Sequence, residues 1–269
     1  MTATTVAPPV GHQLRTWREH RRRSQLDLAL QAEVSARHLS FVETGRSRPS
    51  SEMILRLSEE LEVPLRERNR MLLAGGFAPA YPERALDEPQ MTSVLAAVRQ
   101  VLVGHEPYPA VLIDRHWTLL DANAAVPLLL EGVSPELLEP PVNVLRLTLH
   151  PDGMAPRIAN LGEWRTHLLS RLKRQAQVTA DRALVDLHRE LRALPCDQPE
   201  PVVELPGAGN VVVPLRYRSG ETELSFLSIT AVFGTPLDVT LSEIAIESFY
   251  PADAPTADYL RRSVSVRLR

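Results

Sequence analysis

The residues Ser24 to Gly45, SQLDLALQAEVSARHLSFVETG, constrain this chain more than any other stretch. They read as two short helices joined by a tight turn. Ser24 suits an N-cap, and Asp27, three residues on, completes a capping box. Leu26, Leu28, Ala29 and Ala32 supply a buried side for the first helix, and Val34 is the apolar residue of the turn. Ser35 caps the second helix, whose Leu39 and Val42 fall three apart on its inner side. Gly45 closes that helix in a left-handed conformation. Ala36, Arg37, His38, Ser40 and Phe41 are left facing outward. Two helices so capped and joined have the geometry of a helix-turn-helix, whose second helix enters the DNA major groove.

The order Ser24-Gln25, Leu28-Ala29, Val34-Ser35 and Glu43-Thr44-Gly45, followed by Arg46-Ser47-Arg48-Pro49-Ser50, resembles the helix-turn-helix of the Xre and lambda-repressor family. Glu33 stands where that family often has a turn glycine, and a positive φ there costs on the order of 1 kcal/mol. The resemblance implies contacts of three kinds. Arg37 reads a base edge, with guanine the natural partner of its fork. Ser35, Ala36, His38, Ser40 and Phe41 shape the rest of the interface, Ala36 or Phe41 meeting a thymine methyl. Gln25, Arg46 and Arg48 hold phosphates. Operators of this motif are near-palindromic, which implies a homodimer.

Charge agrees with DNA binding at the N-terminal end. The whole chain of 269 residues carries a formal charge of -3. From Gly11 to Arg48 there are eight Arg against four acidic residues, a balance of +4, so the remainder carries -7. A single cysteine, Cys196, excludes an internal disulfide. No run of eighteen apolar residues and no signal-peptide pattern occur, so a cytoplasmic protein without membrane contact is expected.

A first helix is expected from Gly11 to Arg23, with Leu14 and Trp17 inward. After the helix-turn-helix, Ser50 caps a fourth helix carrying Met53, Ile54, Leu57 and Leu61, and Pro64 opens a fifth that ends near Gly75-Gly76. Residues 11–76 thus form an all-α, five-helix DNA-binding domain, and the proline-rich residues 77–90 a linker. Residues 91–262 form the second domain. Its opening helix, about Met91 to Val103, places Val94, Leu95, Val98, Val101 and Leu102 on its apolar positions.

Val111 to Asp114 and Trp117 to Asp121 then read as a β-hairpin, after which Asn123 caps a helix with Pro127 in its first turn. Asn143 to Gly153 is a short segment ending in a turn. Helices follow over Leu161 to Val178 and Ala183 to Leu194, both with leucine stripes. Strands are expected over Val211 to Tyr217, Glu223 to Phe233 and Asp238 to Ser248, with a hairpin turn at Arg218 to Glu221. Hairpin-joined strands make an antiparallel sheet, so this domain is α+β.

Pro109 to Asn123, together with Gly234-Thr235-Pro236-Leu237-Asp238-Val239-Thr240 and Phe249-Tyr250-Pro251-Ala252-Asp253, is similar to the MmyB-like ligand-binding domain. That resemblance implies a PAS-like domain behind an Xre-type helix-turn-helix, and a long acyl chain as ligand.

Catalytic patterns are missing. None of the eight histidines falls in a HExxH or other metal-ligand spacing, and no GxSxG elbow or P-loop occurs. Gly207-Ala208-Gly209-Asn210 precedes a strand, which suits a hairpin or bulge better than phosphate. No cofactor and no metal are expected. Asn123, Trp164, His167 and His188 are candidate lining residues of an apolar pocket, with Arg165 or Arg171 as donor to a carboxylate. The chain reads as a ligand-responsive regulator that binds a DNA operator and an apolar small molecule such as a long-chain fatty acid. An enzyme with its site in the second domain and a ligand-free, antitoxin-like interaction module are the alternatives.

Overall fold

The computed structural model describes residues 8–199 and 212–267. Gly207 to Asn210 and the expected strand start at Val211 lie outside the described residues. In chain order the helices are α1 (Val10–His20), α2 (Gln25–Gln31), α3 (Ala36–Glu43), α4 (Ser51–Glu60), α5 (Leu65–Ala74), α6 (Pro89–Gly104), α7 (Val144–Leu149), α8 (Leu161–Thr179), α9 (Arg182–Ala193), α10 (Val239–Ser242) and α11 (Ala254–Arg267). The strands are β1 (Ala110–Ile113), β2 (Leu119–Ala122), β3 (Leu215–Ser219), β4 (Thr222–Val232) and β5 (Ala245–Pro251). They fall into two compact units. One holds residues 8–84 with Thr235–Ser242, and the other holds residues 85–199, 212–234 and 243–267.

In the first unit, serines start three helices. Ser24, Ser35 and Ser50 accept hydrogen bonds from the backbone N–H of Asp27, His38 and Met53. Leu14, Trp17, Leu28, Leu39, Val42, Ile54, Leu57, Leu61 and Met71 share one core. Gly11 lets α1 approach α3, because a Cβ there would lie 2.0 Å from the Val42 carbonyl oxygen. Glu33 takes the left-handed conformation at φ 53°, and Gly45 does so at φ 74°. Arg46 N–H then reaches back to Phe41 O, closing α3 as a Schellman turn. Leu26 is a correction: it is 59% exposed. It lies two residues from Leu28, and positions two apart on a helix do not share a face. The first helix ends at His20, not Arg23, since Arg22 turns left-handed at φ 54°.

Residues 77–84 pack on α5. Asn69 accepts from the N–H groups of Ala80 and Tyr81 and donates to Tyr81 O. Onto this ledge comes α10, from far along the chain. Val239 N–H donates to Pro82 O, Thr240 Oγ1 donates to Arg84 O, and Asp238 pairs with Arg84 at 3.0 Å. Here the expected strand from Asp238 fails. The Asp238 carboxylate accepts from the Thr240 and Leu241 N–H groups and starts a helical turn, so the strand begins only at Ala245.

The second unit is built on a five-stranded sheet in the order β2-β1-β5-β4-β3. Every pairing in it is antiparallel, as hairpin-joined strands require. Tyr217, Leu224 and Phe226 of the sheet share a core with Trp164, Leu168 and Leu172 of α8 and Leu184, Leu187 and Leu191 of α9. Three local differences from the sequence reading have local causes. A 3-10 turn, Val126–Leu130, replaces the helix after the hairpin, with Pro127 near its start. Asn143 caps a helix, α7, by accepting from the Leu145 and Arg146 N–H groups. Helix α11 follows Asp253, whose carboxylate accepts from Thr256 N–H. Val101 is 55% exposed.

Asn123 shows how a short polar side chain organises this unit. It is 5% exposed. Its Nδ2 donates to Leu102 O and Tyr108 O, and its Oδ1 accepts from Ala110 N–H. It therefore ties the end of α6 to the start of β1. Buried partners left unpaired cost about 1–3 kcal/mol each. Asn123→Ala is expected to destabilise the second unit by at least about 2 kcal/mol without ligand, measured by denaturant unfolding of the full chain.

Candidate functional site

The recognition helix α3 is held by one buried carboxylate. The Glu43 side chain is 1% exposed. Arg18 donates Nε to Glu43 Oε1 at 2.7 Å and Nη2 to Oε2 at 2.9 Å. Gln25 adds Nε2 to Oε2 at 2.7 Å, and the third Arg18 nitrogen goes to Arg23 O at 2.8 Å. A carboxylate out of water needs this full set of donors. The set joins α1, α2 and α3 and fixes the angle at which α3 is presented.

The other residues singled out on this helix sit at or near the surface. Arg37 is exposed and lies over the Phe41 ring at 5.4 Å. Arg46 and Arg48 are exposed in the loop beyond Gly45. Arg37, Arg46 and Arg48 make no ion pair among the described residues. Ala36, His38, Ser40 and Phe41 are half-buried, and the Ser35 hydroxyl is taken by its capping bond. Gln25 is half-buried, with one amide hydrogen committed to Glu43.

The second place is a cavity of about 70 Å³ inside the second unit. Its wall includes Trp117, Val126, Leu145, Met154, Trp164, Leu168, Phe249 and Glu247. Of the residues singled out from the sequence, Trp164 lines it and Asn123, Arg165, His167 and His188 do not. Arg165 is buried and donates Nη2 to Arg192 O at 2.7 Å, at the end of α9, where helix carbonyls lack partners. His167 stacks on Trp164 from outside the wall, with centroids 5.3 Å apart. His188 is half-buried on α9.

Glu247 is the residue that sequence reasoning missed. It sits on β5 and is 6% exposed. Arg171 grips both its oxygens, at 2.8 and 2.7 Å, and Thr230 donates at 2.9 Å. Ser228 donates as well. Burial raises the carboxyl's pKa, but the Arg171 hydrogen bonds and charge, with the two hydroxyls, outweigh it and hold Glu247 below its ordinary value. Arg171 also lies over Trp117 at 4.6 Å. Trp117 has a left-handed backbone, φ 67°, and donates its indole N–H to Gln175 Oε1. An acidic residue inside the apolar run AIESFY was the available signal for Glu247.

Comparison with known proteins fits this architecture. The family model for the MmyB-like transcription regulator ligand binding domain matches residues 94–262, and a helix-turn-helix model matches residues 14–68. The chain belongs to the MmyB-like transcription regulators. Its two matched domains are those of a ligand-responsive, DNA-binding regulator. No curated protein matches. Among solved structures, an RNA-binding light-oxygen-voltage receptor is similar at 11% identity with a TM-score of 0.28. That match covers 99% of this chain and 65% of the receptor's. Among the described residues of this MmyB-like chain, no helix is long and apolar enough to cross a membrane, and no three His, Cys, Asp or Glu side chains come together as a metal ion would need.

His167 carries a pH consequence. Burial first, and then the Arg171 charge, hold its pKa below the ordinary 6.5. His188 is lowered in the same direction, chiefly by burial. The folded unit therefore binds fewer protons than the unfolded chain once pH falls through 6.5. Stability is complete above that pH and declines as pH drops toward the folded-state values. His167→Gln is expected to flatten part of this decline below pH 6.5, measured by melting temperature across pH.

Proposed function

We propose that this chain is a sequence-specific regulator, acting in the cytoplasm as a homodimer. Its PAS-like second unit senses an apolar small molecule of the fatty acyl class and acts by binding, not catalysis. The observation that carries this reading is the apolar cavity within the matched ligand-binding domain. Its size qualifies the ligand. At about 70 Å³ it has less than half the roughly 150 Å³ of a cavity that takes up benzene. A long acyl chain enters only as wall side chains give way, and Met154 is the most pliable of them. Exposed Val101, Ile229 and Val232 offer the second unit an apolar surface for a second copy.

On DNA, Arg37 reads a guanine edge, and Ala36, His38, Ser40 and Phe41 complete the groove contacts around Ser35. Arg46 and Arg48 hold phosphates. Gln25 joins them with the one amide hydrogen that Glu43 leaves it. Arg37→Ala is expected to cost roughly 1–3 kcal/mol on a selected operator and to relax preference at one base pair. Arg48→Ala is expected to weaken all sequences alike and to reduce the salt slope by about 1. Titrations across salt separate the two, and an Arg37 variant with unchanged sequence preference sinks the assignment.

The signal travels through the chain between β4 and β5. Thr235–Ser242 belongs to the first unit, while Glu247 and Phe249, a few residues on, border the cavity. A ligand that displaces β5 thus pulls on a segment anchored by Asp238 and Arg84. Asp238→Ala is expected to leave ligand affinity within about twofold, yet to diminish the ligand's effect on operator affinity, whose couplings typically span 5–150-fold. Operator titrations with and without saturating ligand measure this. An undiminished effect in the variant rules the route out.

A further inference from the structure

At about 70 Å³ the cavity admits an acyl chain only if part of its wall moves, and the wall is not equally fixed. Val111 and Ile113 stand on β1, which pairs with both β2 and β5, and Phe249 stands on β5 between β1 and β4. Such residues move only if ladder bonds break, and each backbone group so freed needs a new partner. Trp117 differs. Its ring is part of the wall, yet its backbone lies in the turn between β1 and β2, outside the ladder. Its φ is 67°. A bulky residue in the left-handed region is strained, and the strain persists only where the surroundings impose it.

Side chains impose it. Gln175 of α8 holds the turn twice: its Nε2 donates to Arg115 O at 2.8 Å, and its Oε1 accepts the Trp117 indole N–H at 2.8 Å. Asn143 Nδ2 donates to His116 O at 2.8 Å, and His116 Nε2 lies 2.9 Å from Asp181 Oδ2. Within the turn, Asp114 Oδ1 accepts from the N–H groups of His116 and Thr118 at 2.8 Å each, so the turn keeps its shape as it moves. The ties to α8 and α9 sit at the rim. The Arg115 and His116 side chains are 31% and 35% exposed. Water reaches these bonds and can replace them, so opening them costs far less than breaking buried ones.

Resting on the reading of this cavity as the sensor site, we propose that the β1–β2 turn is its gate, with Trp117 as the moving wall and Gln175 as the latch. The closed gate keeps its strain because the latch holds it. An acyl chain and the Trp117 ring compete for one volume, so bound ligand keeps the ring withdrawn and the latch undone. A ligand shifts an equilibrium only by preferring one state, and here the preference is steric. The latch therefore sets both how fast ligand enters and how tightly it is kept.

The experiment uses the full chain with dodecanoate as the probe. The indole N–H signals of the three tryptophans, Trp17, Trp117 and Trp164, are followed by ¹⁵N NMR, and Trp117→Phe assigns the relevant one. Should that variant not fold, Trp17→Phe and Trp164→Phe assign it by elimination. Saturating dodecanoate is expected to speed solvent exchange of the Trp117 N–H at least about tenfold, as local opening does, and to leave Trp17 unchanged. Gln175→Ala weakens only the closed state. It is expected to bind dodecanoate roughly three- to tenfold tighter, the scale of one hydrogen bond, with faster association by stopped flow. A residue that merely supported the fold would lose affinity instead. An unchanged Trp117 exchange rate in the complex, or a folded Gln175→Ala variant that binds no tighter, overturns the gate and leaves the sensor reading standing. If dodecanoate does not raise the melting temperature of the native chain, both fall. Should Gln175→Ala not fold, the exchange rate decides alone.

Discussion

A carboxylate taken out of water is stable only where fixed donors surround it, and each unit of this protein is organised by one. Glu43 draws Arg18 from α1 and Gln25 from α2 onto the end of α3. Glu247 draws Arg171 from α8 onto β5 together with the hydroxyls of β4. Removing one partner of such a pair leaves an uncompensated buried charge, a loss of roughly 3–5 kcal/mol. The apolar cores supply most of the cohesion. The two carboxylates instead specify geometry: the angle of the recognition helix in one unit, and the closure of α8 over the sheet in the other.

The same pairs explain which side chains are left over for function. Glu43 consumes the Arg18 guanidinium and half the Gln25 donors, while Arg37, Arg46 and Arg48 stay exposed and make no ion pair among the described residues. Glu247 consumes Arg171, so the two charges neutralise each other beside an apolar cavity. Trp164, whose N–H nothing satisfies, stands out against walls that are otherwise apolar or saturated. Strain gathers at the same place. Trp117 holds a left-handed backbone unusual for so bulky a residue, while its ring faces both the cavity and Arg171.

Signals carried by neighbouring residues were legible in the sequence. The three serine caps, the left-handed Gly45, the inward Leu39 and Val42, the leucine stripes of α8 and α9 and the β3–β4 turn depend on contacts within a few residues, and they stand as read. Leu26 faces solvent because each helix position turns by about 100°, which carries it away from the side that Leu28 and Ala29 bury. Asp238, expected to open a strand, does not. The carboxylate instead capped its own backbone, and the segment joined the first unit.

What the sequence by itself determined, then, is the helix-turn-helix, the α+β character of the second unit and the family to which both belong. Each rests on periodicity, capping and turn chemistry, which are local. Tertiary structure alone decided that Glu247 and Arg171, 76 residues apart, meet at the cavity, and that Arg165 turns toward the end of α9. It alone decided that Asn123 ties α6 to β1 and that Thr235–Ser242 docks on α5. These outcomes follow from which donors remain unpaired once the cores close. That balance is summed over residues far apart in the chain, so no window of sequence contains it.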